Sequence, residues 1–269
     1  MAVEPVIWLD GRFVSGEDLG IISALSYGAY TSFRVENGAV WGLDLHLDRL
    51  STWAVALFGG DIDRAAIMQG VVSALAGQGE AWVKLNLFSQ QLTPRTPEAM
   101  VTPSVLISIS SAPSPLAHGR RCLAVEHSRY QPEIKHVATF DLIHARRQAR
   151  LKGYDDAVLI DAQGRLTEGS TWNVGFVRGD QVVWPQGRML DGVAQILIKR
   201  GLDQMGLVQS YEAIDLSALQ TFDAAFLCNS ATPCASIASI NDAVFDARHP
   251  LLAKAAEAWH LGAPMTLSF

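Results

Sequence analysis

The apolar runs FRVE and AVW are separated by Asn37-Gly38, a dipeptide suited to a two-residue hairpin because both positions tolerate positive φ. The chain must therefore commit early to an antiparallel sheet. VIWLDGRFV also reads as strand, with its own turn at Asp10-Gly11. The period then changes. In DLHLDRLSTWAVALFGG, Leu50, Trp53, Ala54 and Leu57 fall at helical spacing, Asp44 stands where a cap would, and Gly59-Gly60 is the stop. This predicts a helix beginning near His46 and Arg49. A second helix is expected over 62–75, followed by strands near 82–88 and 105–110, so the fold class is α/β (α+β).

A chain of 269 residues exceeds what one core usually supports, so two domains are expected. SAPSPLAHG, residues 111 to 119, combines prolines with small residues and has no periodicity. A linker at 113–119 would separate a small N-terminal α/β domain, 1–112, from a larger C-terminal mixed α/β domain, 120–269. The second domain would hold a strand at CLAVEH, a helix over about 139–152, a hairpin, a helix after Gly192 and a strand at AAFLCNS. Net charge is −6 with 18% charged residues, which offers no basic field for nucleic acid. Cys122, Cys228 and Cys234 are odd in number and lack metal-ligand spacing, so neither a disulfide framework nor a zinc site is expected. Glu4 and Asp10 interrupt what would have to be a signal peptide, and no apolar run reaches membrane-spanning length. A cytoplasmic location with no membrane partner is the expectation.

The stretch GRLTEGSTWNVGF, residues 164 to 176, places Glu168 at the edge of a turn and follows it with Gly169, Ser170 and Thr171. Small residues in such a run imply backbone packed closely around something. Lysines are scarce, five against sixteen arginines. Lys152 and Lys199 each stand just before a glycine-containing stop and read as last-turn residues complementing a helix dipole. Lys254 falls in the Ala-rich closing helix and faces water. Lys84, inside a strand, and Lys135, in QPEIKHVATFD, are left. A lysine near a domain junction can be a buried amine of lowered pKa that forms a Schiff base; the plainer alternative is a solvated loop lysine. His46, His136 and His144 read as packing or surface residues, with no metal site among them.

The run IKH, then a helix, then GYDDAVLIDAQGRLTEGSTWNVGFV resembles the class IV, or fold-type IV, pyridoxal-phosphate enzymes: branched-chain aminotransferases, D-amino-acid aminotransferases and 4-amino-4-deoxychorismate lyases. The resemblance extends upstream to HLDRL at 46–50 and downstream to LDGV at 190–193 and CNSAT at 228–232. It implies the two-domain fold of that family and pyridoxal 5'-phosphate as cofactor. Lys135 would hold the cofactor as a Schiff base and carry protons during the reaction. Glu168 would pair with the pyridine nitrogen, since a carboxylate there keeps the ring protonated and able to accept electrons. Ser170 and Thr171 would pass close to the cofactor, and Asn173 would orient the glutamate. Arg49 would grip the phosphate, for which a guanidinium fork is suited. The amides of Val193 and Ala194 at a helix N-terminus, with Ser230 and Ala231, would complete the phosphate cup. The resemblance also implies a homodimer.

The chain departs from the family pattern at three places. Where the family has a threonine after P-G-I, this chain has Ala194, which removes a phosphate hydroxyl. Trp172 replaces the serine of T-S-N, and the N-terminal Y-G motif is shortened between Tyr27 and Arg34. The strand Ala81-Trp82-Val83-Lys84 resembles the A-Y-I-R of branched-chain aminotransferases, and alternation puts Trp82, Lys84 and Asn86 on one face. Tyr30, Trp82 and Lys84 are therefore the substrate-contact candidates. The strand ends Phe88-Ser89-Gln90-Gln91, without the T-R-G of D-amino-acid aminotransferases. The expected function is an aminotransferase acting on a small amino acid or amine. Ile134-Lys135-His136 and Asn229-Ser230 also resemble the lyase, so a pyruvate-releasing lyase is the alternative, and a non-catalytic homologue the third.

Overall fold

The computed structural model describes residues 6–16, 18 and 26–268, so Glu4 lies outside the described residues. The chain divides into two compact units. The first comprises 1–113, 134–138 and 264–269; the second comprises 114–133 and 139–263. The chain first passes between units close to the proline-containing segment, but residues 134–138 and the C-terminal stretch return to the first unit. A single sequential cut does not describe that arrangement.

The first unit contains β1 (Val6–Leu9), β2 (Arg12–Phe13), β3 (Ala29–Val35), β4 (Ala39–Val40), helix α1 (Leu43–Phe58), helix α2 (Arg64–Leu75), β5 (Ala81–Phe88) and β6 (Ser104–Ser110). Its five-stranded sheet has the order β2-β1-β6-β5-β3 and is antiparallel throughout. Both expected turns form. Asp10 and Gly11 have φ of 43° and 87°, and Asn37 and Gly38 have φ of 50° and 70°, the pair of positive values a type I′ turn requires. Along β3 burial alternates, with Ala29, Thr31, Phe33 and Val35 buried and Tyr30, Ser32 and Arg34 half-exposed. β5 does the same, so Trp82, Lys84 and Asn86 share the face that carries Tyr30, with Ser32 opposite Lys84 and Tyr30 opposite Asn86. The opposite face is the core side, where α1 packs on β3. The N-cap of α1 is Gly42, two residues before the expected Asp44, which instead lies in the first turn and complements the helix dipole. Gly59 closes the helix in the left-handed conformation, as its stop position predicts.

The second unit contains β7 (Arg120–Glu126), helix α3 (Phe140–Leu151), β8 (Asp156–Ile160), β9 (Leu166–Gly169), β10 (Asn173–Arg178), β11 (Gln181–Pro185), helix α4 (Val193–Gln204), β12 (Val208–Glu212), a 3-10 turn (Leu216–Thr221), β13 (Ala224–Asn229), β14 (Thr232–Ile240), β15 (Ala243–Val244) and helix α5 (Pro250–Trp259). The mixed sheet runs β12-β11-β10-β13-β14-β7-β8-β9, with β15 on β14. Of its three parallel pairs, β7-β8 and β11-β12 are joined through α3 and α4, the connection that parallel strands need, and β14-β7 is the third. A last strand, β16 (Met265–Thr266), pairs with β4 in the first unit.

Leu142, Ala145 and Ala149 of α3 lie against Ala157 and Leu159 of β8. A larger core of the second unit includes Trp172, Val174, Phe176, Leu227 and Ile237. Lys199 is mid-helix in α4 and not in its last turn. The helix continues through Gly201, where any side chain would collide with the Ala258 carbonyl of α5; the glycine serves helix packing rather than termination. Lys199 instead sits over the rings of Trp184 (5.1 Å) and Tyr211 (4.8 Å). All three cysteines are free and buried. Among the described residues no helix is long and apolar enough to cross a membrane.

Candidate functional site

In the first unit, the backbone of Lys135 is fastened to the edge strand β3. The Tyr30 amide donates to the Lys135 carbonyl at 2.9 Å, and the Val137 amide to the Gly28 carbonyl at 2.9 Å. The Lys135 Nζ lies 4.9 Å from the centroid of the Tyr30 ring, and Lys84 Nζ lies 4.4 Å from it. One aromatic ring thus faces two ammonium groups, each gaining from the ring's negative face. Burial moves the Lys84 pKa down.

On the core side of the same strand, Arg49 donates from Nε (2.9 Å) and Nη2 (2.6 Å) to Thr31 Oγ1. Arg49 Nη2 also lies 3.3 Å from His46 Nδ1, and Thr31 Oγ1 lies 2.6 Å from that atom. Arginine only donates, so His46 Nδ1 must accept, and the Thr31 hydroxyl then donates to it. His46 is therefore the neutral Nε2–H tautomer. Its pKa is lowered well below the ordinary value by burial first, then by the charges of Arg49 and Lys135. Burial also brings the Arg49 pKa down to about 10, against the opposing influence of Tyr30; the guanidinium stays charged at neutral pH. Its Cζ lies 5.1 Å from the Trp53 ring. A buried guanidinium, two lysines and a neutral imidazole gathered about the start of β3 are suited to an anion.

In the second unit, Glu168 is buried at the end of β9. Arg129 donates to it from Nη1 at 3.1 Å, and the two side chains are only 5% and 7% exposed. Beyond Glu168 the chain turns sharply: the Gly169 amide donates to the Trp172 carbonyl at 2.7 Å, and the Ser170 amide to the Ala157 carbonyl at 3.1 Å. Trp172 is a core residue, 3% exposed. Its indole lies so close over Gly169 that a Cβ at that glycine would collide with it. The small size of Gly169 is therefore required by the indole of Trp172.

Asn173 donates from Nδ2 to the Leu190 carbonyl at 2.8 Å, and its Oδ1 leaves no room for a side chain at Gly192. It thereby ties β10 to the start of α4, whose N-cap Gly192 makes no side-chain capping bond. The first amides of α4, at Val193 and Ala194, are the helix donors that lack intrahelical acceptors. One residue on, Gln195 is buried with its Oε1 unpartnered. Asn229 performs a second tie, donating to the Thr171 carbonyl at 3.2 Å and accepting from the Ala231 amide at 3.0 Å. The turn Ser230-Ala231 is thus coupled to the turn after Glu168.

Lys135, Arg49, Tyr30 and Lys84 accordingly gather in the first unit, and Glu168, Ser170, Thr171, Asn173, Val193, Ala194, Ser230 and Ala231 in the second. Trp82 shares the face of Lys84, paired in register with Arg34. His46 is a buried packing residue that completes the Arg49 cluster, while His144 stacks on Phe140 at 5.7 Å. Arg129, Thr31, Asp156 and Arg146 carry the hydrogen bonding around these residues without standing out in the sequence. A cleft of about 610 Å³ in the first unit, lined by Trp8, Asp63, Gln69 and Val105 among others, contains none of them. Among the described residues no cluster is suited to a metal ion.

The model of the amino-transferase class IV family matches residues 28–240. The chain belongs to the class IV aminotransferases. It is 24% identical over 262 residues to a probable branched-chain-amino-acid aminotransferase of Rickettsia bellii, with 87% of each chain covered. The branched-chain amino acid aminotransferase from Escherichia coli superposes with a TM-score of 0.85 at 16% identity, covering 100% of both chains. A putative 4-amino-4-deoxychorismate lyase from Legionella pneumophila superposes at 0.75 with 20% identity, covering 85% of this chain and 88% of the other. This class IV aminotransferase therefore has the mixed α/β fold that both superposed structures share.

Proposed function

We propose that the protein is a pyridoxal-phosphate-dependent aminotransferase acting on a small amino acid or amine, with Lys135 as the residue that binds the cofactor covalently. The carrying observation is that Lys135 and Arg49 are both held at the start of β3, Lys135 over the Tyr30 ring and Arg49 on the Thr31 hydroxyl. Each unit by itself presents groups of the kind the cofactor needs. The first unit presents a buried guanidinium and a lysine amine, suited to a phosphate and a carbonyl carbon. The second presents a buried carboxylate and the uncapped amides of Val193 and Ala194.

When bound, the cofactor supplies a carbonyl carbon for exchange with amines and a ring that withdraws electrons. Lys135 Nζ would take and return the proton of the substrate α-carbon. Glu168 would hold the proton at the ring nitrogen, and Arg49 and the amides at 193 and 194, with Ser230 and Ala231, would bind the phosphate. Thr171 and Ser170 would line the turn beside it, and Asn173 would keep Glu168 and the α4 N-terminus in register. Lys84, Tyr30 and Trp82 would face the substrate. We take the working unit to be a cytoplasmic homodimer.

Borohydride reduction of the protein loaded with pyridoxal phosphate, followed by peptide mapping, should fix the cofactor on Lys135; a label on another lysine defeats the assignment. A screen of single amino acids, beginning with branched-chain ones, should yield stoichiometric keto acid and the pyridoxamine form. Catalytic pyruvate from an aminodeoxychorismate, without pyridoxamine, would establish the lyase reading instead, and absence of any covalent adduct would establish the non-catalytic one. A sedimentation mass of 29.1 kDa for active protein would exclude the dimer.

A further inference from the structure

Asp156, on β8, is fully buried and stands at the centre of a hydrogen-bond network. It accepts from Arg146 Nε (3.0 Å) and Nη2 (2.7 Å), from Ser170 Oγ (2.7 Å), from Trp172 Nε1 (3.1 Å) and from the Ala157 amide (2.8 Å). Burial works to raise its pKa, but the hydrogen bonds and charge of Arg146, then Ser170 and the Ala157 amide, outweigh burial and hold it below the ordinary value. Only the ionised acid can accept from all of these donors at once.

Three of the contacts converge on the turn that follows Glu168. Ser170 and Trp172 bind Asp156 directly, and Arg146 Nη2 reaches Thr171 Oγ1 at 3.0 Å as well. The pairing of β8 with β9 fixes the chain before the turn, with Val158 opposite Gly169. The Glu168 backbone is thus held by the pairing of β9 with β8 on one side and by the Asp156 network on the other. The indole is this chain's own device, since Trp172 stands where the resemblance places serine.

We propose that Asp156 is a positioning residue for Glu168: through Ser170, Trp172 and Arg146 it sets the orientation in which the Glu168 carboxylate meets the cofactor's ring nitrogen. The inference rests on the proposed function. It assigns a role to Trp172 as well, because removing the indole N–H removes one of the donors that aim the turn.

The test uses holoenzyme loaded with cofactor labelled with ¹⁵N at the ring nitrogen, whose resonance reports whether that atom is protonated. Glu168→Gln serves as the reference and should move the resonance toward the unprotonated position. Asp156→Asn and Trp172→Phe should move it in the same direction, and their cofactor dissociation constants should rise about tenfold, the effect of losing one charge-assisted hydrogen bond. The double variant should be less than additive, because both changes act on one bond. If Asp156→Asn does not fold, Trp172→Phe and Ser170→Ala decide by the same resonance. A resonance unmoved in these variants, with only the melting temperature lowered, makes Asp156 a core residue and overturns the proposal. If Glu168→Gln itself leaves the resonance in place, the Glu168 assignment fails, and the inference built on it fails too.

Discussion

Arg129 Nη1 donates to Glu168 Oε1 at 3.1 Å, with both side chains almost wholly withdrawn from water. Arg129 Nη1 also reaches the Pro132 carbonyl at 3.3 Å, so the arginine ties the backbone at Pro132 to the carboxylate on β9. Replacing one member of such a pair exposes the cost of burying the other. Arg129→Met should lower the unfolding free energy of the cofactor-free protein by about 3 kcal/mol, measured by urea titration. A loss within experimental error would show that Glu168 draws its stabilisation from its other neighbours.

Gly169 and Trp172 are coupled sterically. A Cβ at 169 meets the indole, so Gly169→Ala must either displace a core tryptophan or distort the turn, at a cost of about 1–3 kcal/mol. Trp172→Ser should also destabilise, by removing a buried aromatic. The combination should cost clearly less than both separately, because serine vacates the space that alanine needs. Strict additivity of the two melting shifts would contradict the contact.

What can be read from the sequence is local. The hairpin turns at 10–11 and 37–38, the α1 stop at Gly59 and the alternation that places Lys84 with Trp82 all follow from neighbouring residues. The motif residues Glu168 to Asn173 are contiguous, and their need for small neighbours is written into the same few positions. Arg129, Thr31 and Asp156 are not legible there because their roles arise from partners far along the chain: Arg129 from Glu168, Thr31 from Arg49, Asp156 from Arg146 and Trp172. Lys199 reads as a last-turn residue for the same reason. Gly201 looks like a stop until Ala258 is seen lying against it.

His46 supplies a pH dependence whose sign is fixed by its environment. Its folded pKa lies well below the ordinary 6.5, chiefly through burial and then through Arg49 and Lys135, so the unfolded chain takes up a proton that the native state refuses. The corresponding stability is fully present above pH 6.5 and is lost as pH falls below it, at about 1.4 kcal/mol per pH unit. The difference in unfolding free energy between wild type and His46→Gln, in cofactor-free protein, should become less favourable to wild type as pH is lowered through that window. A difference independent of pH would mean that His46 is protonated in the native state. That would also reverse the donor assignment at Thr31 Oγ1.

Lys84 has two duties open to it, and a single substitution separates them. Its ammonium is half-buried, its pKa is lowered by burial, and it shares the Tyr30 ring with Lys135. A partly desolvated cation gains most from an anionic partner, which the carboxylate side chain of an acidic amino donor would provide. In that case Lys84→Met should raise KM for acidic donors by roughly 10- to 100-fold, the worth of a charge-assisted hydrogen bond, and leave KM for apolar donors nearly unchanged. The other duty is repulsion: a second positive charge near Lys135 favours the neutral amine that must accept a proton. Removing it would shift the acidic limb of the kcat profile to higher pH for every donor alike, with little effect on KM. The side-chain alternation of β5 aims Lys84 outward from the core together with Trp82 and Asn86, as a substrate-contacting residue requires, so the donor-selective change in KM is the expected result. A uniform shift of the pH profile with no selectivity change would assign Lys84 to Lys135 instead.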